Sequence, residues 1–141
     1  MSAVVYGGAL RRLYVDYKDK AEFIIVYIKE AHTTEGWKMG PKFSDSKQTT
    51  TLEERIDRAR KLLEIVPNAV TSDPYDASKI RVLVDDMNDT FDNAFWSWPD
   101  RAIVIQDGRL VFTGRNIAQQ LRSPDKPLTH DLREWMDAHY K

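Results

Sequence analysis

Ala102-Ile103-Val104-Ile105-Gln106-Asp107-Gly108-Arg109-Leu110-Val111-Phe112 sets two apolar runs on either side of an Asp-Gly pair. Asp-Gly supplies the positive φ angles of a tight reversal, so the segment reads as an antiparallel hairpin, Ala102–Ile105 against Leu110–Phe112. Downstream, Thr129 to Tyr140 begins with a capping residue and puts Leu132, Trp135, Met136 and His139 on one helical face, which predicts a closing helix laid on the sheet. Upstream, Ile80–Val84 is a short apolar strand running into Asp85 and Asp86, followed by a short helix or turn over 89–95.

Further toward the N-terminus, Ala9, Leu10, Leu13, Tyr14 and Tyr17 recur at three- and four-residue spacing with Arg11, Arg12, Asp16 and Lys18 facing away, an amphipathic helix over 9–17. Glu22–Ile28 follows as an aromatic and β-branched run too short for a helix, hence a buried strand of the parallel, central kind. A long loop from Lys29 to Thr50 carries Gly36, Gly40 and Pro41, and long loops in compact domains are commonly functional. Thr51 and Glu54 form a capping box for a second helix with a buried stripe of Leu52, Ile56, Ala59, Leu63 and Val66, wet-face pairs Glu54–Arg58 and Asp57–Lys61, and a stop at Pro67-Asn68. A polar stretch with Pro74 leads to the next strand.

Strands alternating with helices, then a hairpin, then a helix, describe one α/β domain over 1–141, a mixed β-sheet flanked by helices with a C-terminal β-hairpin plus helix, and this ending resembles that of thioredoxin-like folds. In such folds a proline just before the hairpin presents its backbone to substrate, and Pro99, three residues ahead of Ala102, is the candidate. The sequence leaves the isomer of the Trp98–Pro99 bond open.

With 141 residues, 42% of them hydrophobic, the chain has material for one compact core. Lys plus Arg number 21 against 22 Asp plus Glu, so no strong field draws in nucleic acid or an anionic membrane. The longest apolar stretch, Phe23–Ile28, is too short to span a bilayer, and a soluble, cytoplasmic chain is expected. The sequence contains no cysteine, which removes disulfides, thiolate metal sites and thiol nucleophiles together.

Val26-Tyr27-Ile28-Lys29-Glu30-Ala31-His32 followed by Glu35-Gly36-Trp37 resembles the strand and loop of the iodothyronine deiodinases. The resemblance continues through Thr51-Leu52-Glu53-Glu54-Arg55, Val84-Asp85-Asp86-Met87, Pro99-Asp100-Arg101, Ile103-Val104-Ile105 and Gly114-Arg115, from about Leu10 onward. It implies reductive removal of iodide from an aromatic ring such as that of a thyroid hormone. The agent in the family is a selenocysteine or cysteine at a helix N-terminus, where the dipole favours a polarizable anion.

By the same resemblance His32 and Glu30 serve proton transfer, while Asp100 and Arg115, with Pro99, hold the substrate. A guanidinium pairs bidentately with a carboxylate, which suits Arg115 to an amino-acid end. Thr49 stands where the family has a second histidine, and a hydroxyl does not relay protons near neutral pH as imidazole does. Family spacing puts the nucleophile at or just before Met1. Either Met1 is internal to a longer reading frame in which a selenocysteine codon was taken as a stop, the reading preferred here, or Ser2–Tyr6 is a shortened strand joined through Gly7-Gly8 to the helix. The chain as given is then expected to lack deiodinase turnover.

The implied partners are a small iodinated aromatic and a thiol reductant, with no other cofactor and a homodimer as the expected assembly. The alternative is a non-catalytic binding module of the same fold. Asp85, Asp86, Asp89 and Asp92 lack the Gly and terminal Glu of a calcium loop and read as acids at a helix start. His130 and His139 have no metal-ligand spacing to another His or Cys, so no metal is assigned. Phe95, Trp96 and Trp98 read as packing residues, beside Pro99 where a flat ligand could also meet them.

Overall fold

The computed structural model describes residues 2–41, 44–63, 79–116, 119 and 128–141. In chain order these form α1 (Ser2–Tyr17), β1 (Ile24–Tyr27), α2 (Leu52–Leu63), β2 (Arg81–Val84), α3 (Thr90–Phe95), β3 (Ile103–Gln106), β4 (Arg109–Thr113) and α4 (Leu128–Tyr140). The arrangement is mixed α/β of thioredoxin-like kind. Among the described residues the strands pair as two units, β1 parallel to β2 and β3 antiparallel to β4.

The hairpin turns where the Asp-Gly pair predicts: Asp107 has φ 51° and Gly108 φ 72°. Val104 faces Phe112 and Ile105 faces Leu110, so the register slips by one residue and Val111 is the extra residue on β4. In the parallel pair, Ile24 stands opposite Arg81 and Tyr27 opposite Val84. This pair is wetter than the aliphatic run predicts. Ile24 and Leu83 are exposed, and Arg81, opposite Ile24, reaches Glu22 in solvent at 2.7 Å.

The core is built on α1. Leu13 and Tyr17 meet Leu132 and Met136 of α4, with Val104, Phe112 and Trp135 packed around them. Tyr14 and Ile80 form a second cluster with Phe23 and Ile25. The closing helix therefore lies between α1 and the hairpin, and its fourth predicted face residue, His139, is exposed and stacks on Trp135 at 4.1 Å.

Two expectations are corrected. Ser2–Tyr6 is not a strand, because α1 runs from Ser2 straight through Gly7 and Gly8. Each glycine lowers helix propensity by about 1 kcal/mol, which the burial of Leu13, Tyr14 and Tyr17 in the same helix outweighs. In α2 the enclosed line is turned: Ala59 is buried, Ile56 is half-buried, Leu52 is exposed, and Arg55 is only 2% exposed. Arg55 turns inward because backbone carbonyls and a carboxylate await it there. Asp57 pairs with Arg60 at 3.0 Å rather than with Lys61. Val66, Pro67-Asn68 and Pro74 lie outside the described residues. The cap itself forms: Thr51 Oγ1 accepts the Glu54 amide at 3.2 Å, while the Glu54 carboxylate accepts the amide of Thr50 at 2.8 Å. No helix among the described residues is long and apolar enough to cross a membrane.

Candidate functional site

Parallel strands deliver their following loops to the same side, and the C-terminal ends of β1 and β2 are where Glu30, His32, Asp85 and Asp86 emerge. The Asp85 amide donates to the Tyr27 carbonyl at 2.8 Å, closing the two strand ends together.

Beyond β1 the chain is held at Glu30 from two sides. The Gln48 side-chain amide accepts from the Glu30 N–H at 3.1 Å and donates to the Glu30 carbonyl at 2.9 Å. The Glu30 carboxylate takes the hydroxyl proton of Tyr27 as a hydrogen bond. Burial, and then this carboxylate, push the Tyr27 hydroxyl above its ordinary value, so it stays a donor. His32 Nδ1 lies 3.0 Å from the Trp37 carbonyl, which can only accept, so Nδ1 is the donor in this contact and the ring is oriented by it. The Glu35-Gly36-Trp37 turn explains its glycine, since a Cβ on Gly36 would stand 2.9 Å from Thr33 Oγ1 and 3.2 Å from the Ala31 carbonyl.

The second half of the site precedes and follows the hairpin. Trp98–Pro99 is cis. The Trp98 amide donates to Asp92 Oδ1 at 2.7 Å, and its carbonyl lies 3.5 Å from Asn116 Nδ2. Gly114 donates to the Ala102 carbonyl at 2.8 Å, and a Cβ there would sit 3.2 Å from that oxygen. Asn116, the residue after Arg115, thereby lies against Trp98 ahead of the cis bond. Arg115 is not idle: its Nε and Nη2 donate to both Asp131 oxygens, at 2.6 and 3.0 Å. The guanidinium holds the Asp131 carboxyl below the usual carboxylate range. A substrate carboxylate at Arg115 would meet Asp131 as a competitor.

Between the halves runs a polar network that hydrophobic pattern and spacing do not predict. Arg55 Nη1 donates to the Asp86 carbonyl at 2.5 Å and to Asp89 Oδ1 at 3.0 Å, with Nε 3.5 Å from Thr49 Oγ1. Thr49 thus supports a buried guanidinium. Lys29 bridges Asp89 at 3.3 Å and Asp92 at 3.0 Å. The aspartates are consumed as the acids of a helix start: Asp85 accepts the amides of Phe91 and Asp92 at 2.8 and 3.0 Å, and Asp86 those of Asn88 and Thr90 at 3.0 and 3.1 Å. Sequence pattern assigns no role to Tyr27, Lys29, Gln48, Arg55 or Asp131, because their partners lie across tertiary contacts or, for Tyr27, in the loop after its strand.

A cleft of about 300 Å³ opens beside the cis bond, lined by Asp92, Asn93, Trp96, Trp98 and Asn116. Trp96 is 77% exposed, so it rims this cleft rather than filling the core. A larger cleft of about 420 Å³ lies at the opposite, N-terminal ends of β1 and β2, near Glu22 and Lys79. His130, Asp131 and Glu134 bring ligand atoms within 4.8 Å of one another, although Arg115 already occupies both Asp131 oxygens.

A family model described as iodothyronine deiodinase matches residues 4–140. The thyroxine 5-deiodinase of Sparus aurata is 28% identical over 132 residues, 94% of this chain and 43% of that protein. Those of Ovis aries and Homo sapiens are 27% and 28% identical over 132 residues, again 94% of this chain, and 39% and 38% of their own lengths. The chain spans less than half the length of these relatives.

Proposed function

The chain belongs to the iodothyronine deiodinase family, and on that premise we propose that it is the scaffold of a cytoplasmic reductive dehalogenase for iodinated aromatic compounds, the reactive chalcogen being supplied from outside its 141 residues. The absence of cysteine supports the last clause, since no side chain here can accept iodine and be regenerated by thiols. The chalcogen anion would take iodine from the ring, the carbon–iodine bond pair would remain on carbon, and that carbon would need a proton. A thiol reductant would then release iodide.

The chain's own residues supply the rest. Glu30, hydrogen-bonded by the Tyr27 hydroxyl, and His32, oriented by the Trp37 carbonyl, stand together after β1 as the proton-handling groups. Pro99 and Asp100 with Arg115 form the holding side, Arg115 for a carboxylate and Asp100 for an ammonium group. The observation that supports this reading is the Gly114 hydrogen bond to the Ala102 carbonyl, with Asn116 Nδ2 3.5 Å from the Trp98 carbonyl ahead of the cis-proline.

The test is iodide release with a dithiol reductant. The 141-residue chain is expected to release none from iodothyronine or iodotyrosine, and a form extended in frame to include an upstream selenocysteine or cysteine is expected to release it. Release by the 141-residue chain alone overturns the proposal. In a binding titration, Arg115→Ala is expected to weaken uptake of the same ligands by roughly tenfold, the worth of one charge-assisted pair; unchanged affinity removes Arg115 from the holding side.

A further inference from the structure

The two halves of the candidate site hang on separate strands: Glu30 and His32 follow β1, while Pro99 and Asp100 precede β3. Among the described residues these strands belong to different hydrogen-bonded pairs, so the ladders do not set the spacing of the halves. A different set of contacts spans it. Asp92, 5% exposed, uses one carboxylate oxygen for the Trp98 amide at 2.7 Å and the other for the Lys29 ammonium at 3.0 Å. Lys29 is the residue immediately before Glu30, and Trp98 immediately precedes the cis-proline. One carboxylate therefore grips the roots of both loops. The Lys29 ammonium also reaches Asp89 at 3.3 Å, and Asp89 is itself tied to the buried Arg55 at 3.0 Å.

We infer that Lys29 and Asp92 are positioning residues that fix the gap between the Glu30–His32 loop and the Trp98–Asp100 loop. That the two loops make one site rests on the function proposed above; that the pair joins them does not. A buried carboxylate gives up much of its hydration and keeps its charge only with compensating partners. Without Lys29, the Asp92 carboxylate loses its direct tie to the loop after β1, and the Trp98 amide keeps an acceptor held on that side through the Asp92 amide bonded to Asp85. Asp92 and Asp89 in turn favour the charged form of Lys29.

Amide hydrogen exchange on the 141-residue chain tests this, together with titration by 3,5-diiodotyrosine. Lys29→Met is expected to speed exchange at the Trp98 amide by roughly tenfold, the scale of a lost charge-assisted contact, with the Ile103–Thr113 amides unchanged and diiodotyrosine affinity lowered. Lys29→Arg is expected to restore both. Asp92→Asn keeps an acceptor for Trp98 without the charge and is expected to fall between. Wild-type exchange at Trp98 in Lys29→Met overturns the inference, as does a uniform rise over the whole chain, which would report global destabilisation instead. If Trp98 responds while the wild-type chain takes up no diiodotyrosine, the bridge stands and the proposed substrate class falls.

Discussion

Arg55 carries more hydrogen-bonding responsibility than any residue singled out from the sequence. Its guanidinium meets carbonyls and a carboxylate from residues about thirty positions away, at Asp85, Asp86 and Asp89. Nothing local announces that; an arginine in a capped, charge-rich helix reads as a wet-face residue. Arg55→Met is expected to destabilise the chain by about 1.5–3 kcal/mol in denaturant titration, because it removes a charged donor from Asp89 and from the Asp85 and Asp86 carbonyls while keeping the side-chain volume. Asp131 gives a pH signature. Arg115 depresses its carboxyl in the folded state, so the stability this pair contributes is present above the ordinary carboxylate pKa and is lost as pH falls through the lower, folded value. Thermal midpoints should therefore drop as pH is lowered from 5 toward 3, and drop less in Asp131→Asn. Glu30, His32, Asp100 and Arg115 are site candidates through family resemblance alone, and Pro99 through its place before the hairpin; hydrophobic period selects none of them. The Gln48 contact with Glu30, the Asp131 pair with Arg115 and the Lys29 bridge to Asp89 and Asp92 depend on tertiary contact and leave no mark in the sequence.

Elements whose cause is local were read from the chain with little loss. The Asp107-Gly108 reversal and the α4 periodicity rest on backbone angles and on side chains within a turn or two. Gly108 sits at φ 72° with open space around its Cβ position, so Gly108→Ala isolates backbone strain. The expected loss is about 1–2 kcal/mol by thermal or chemical unfolding. Elements whose limits depend on neighbours were read less well. The helix predicted over 9–17 extends back to Ser2, since glycine punctuation yields when the remainder of a helix is anchored. The α2 stripe was assigned by hydrophobicity, whereas polar acceptors at the end of β2 chose its inward face.

At the scale of the molecule, α1 joins the two apolar clusters, with Leu10 packed against both. Its seam with α4 is also polar, through Tyr17 with Asp137 and Arg133 with Asp16 at 2.5 Å. Leu13 is completely buried in that seam. Leu13→Ala should cost about 2–5 kcal/mol and should loosen α4 and the hairpin together, which hydrogen exchange across both would reveal. The Gln48 clasp on Glu30 reaches beyond the site. One primary amide satisfies the N–H and the carbonyl of a single residue, as a bonded antiparallel neighbour would. The side chain is thus a one-residue counterfeit strand. An extended peptide from another molecule finds no vacant rung at that point, and the acid-bearing segment is guarded against the sheet-to-sheet sticking to which bare strand margins are prone.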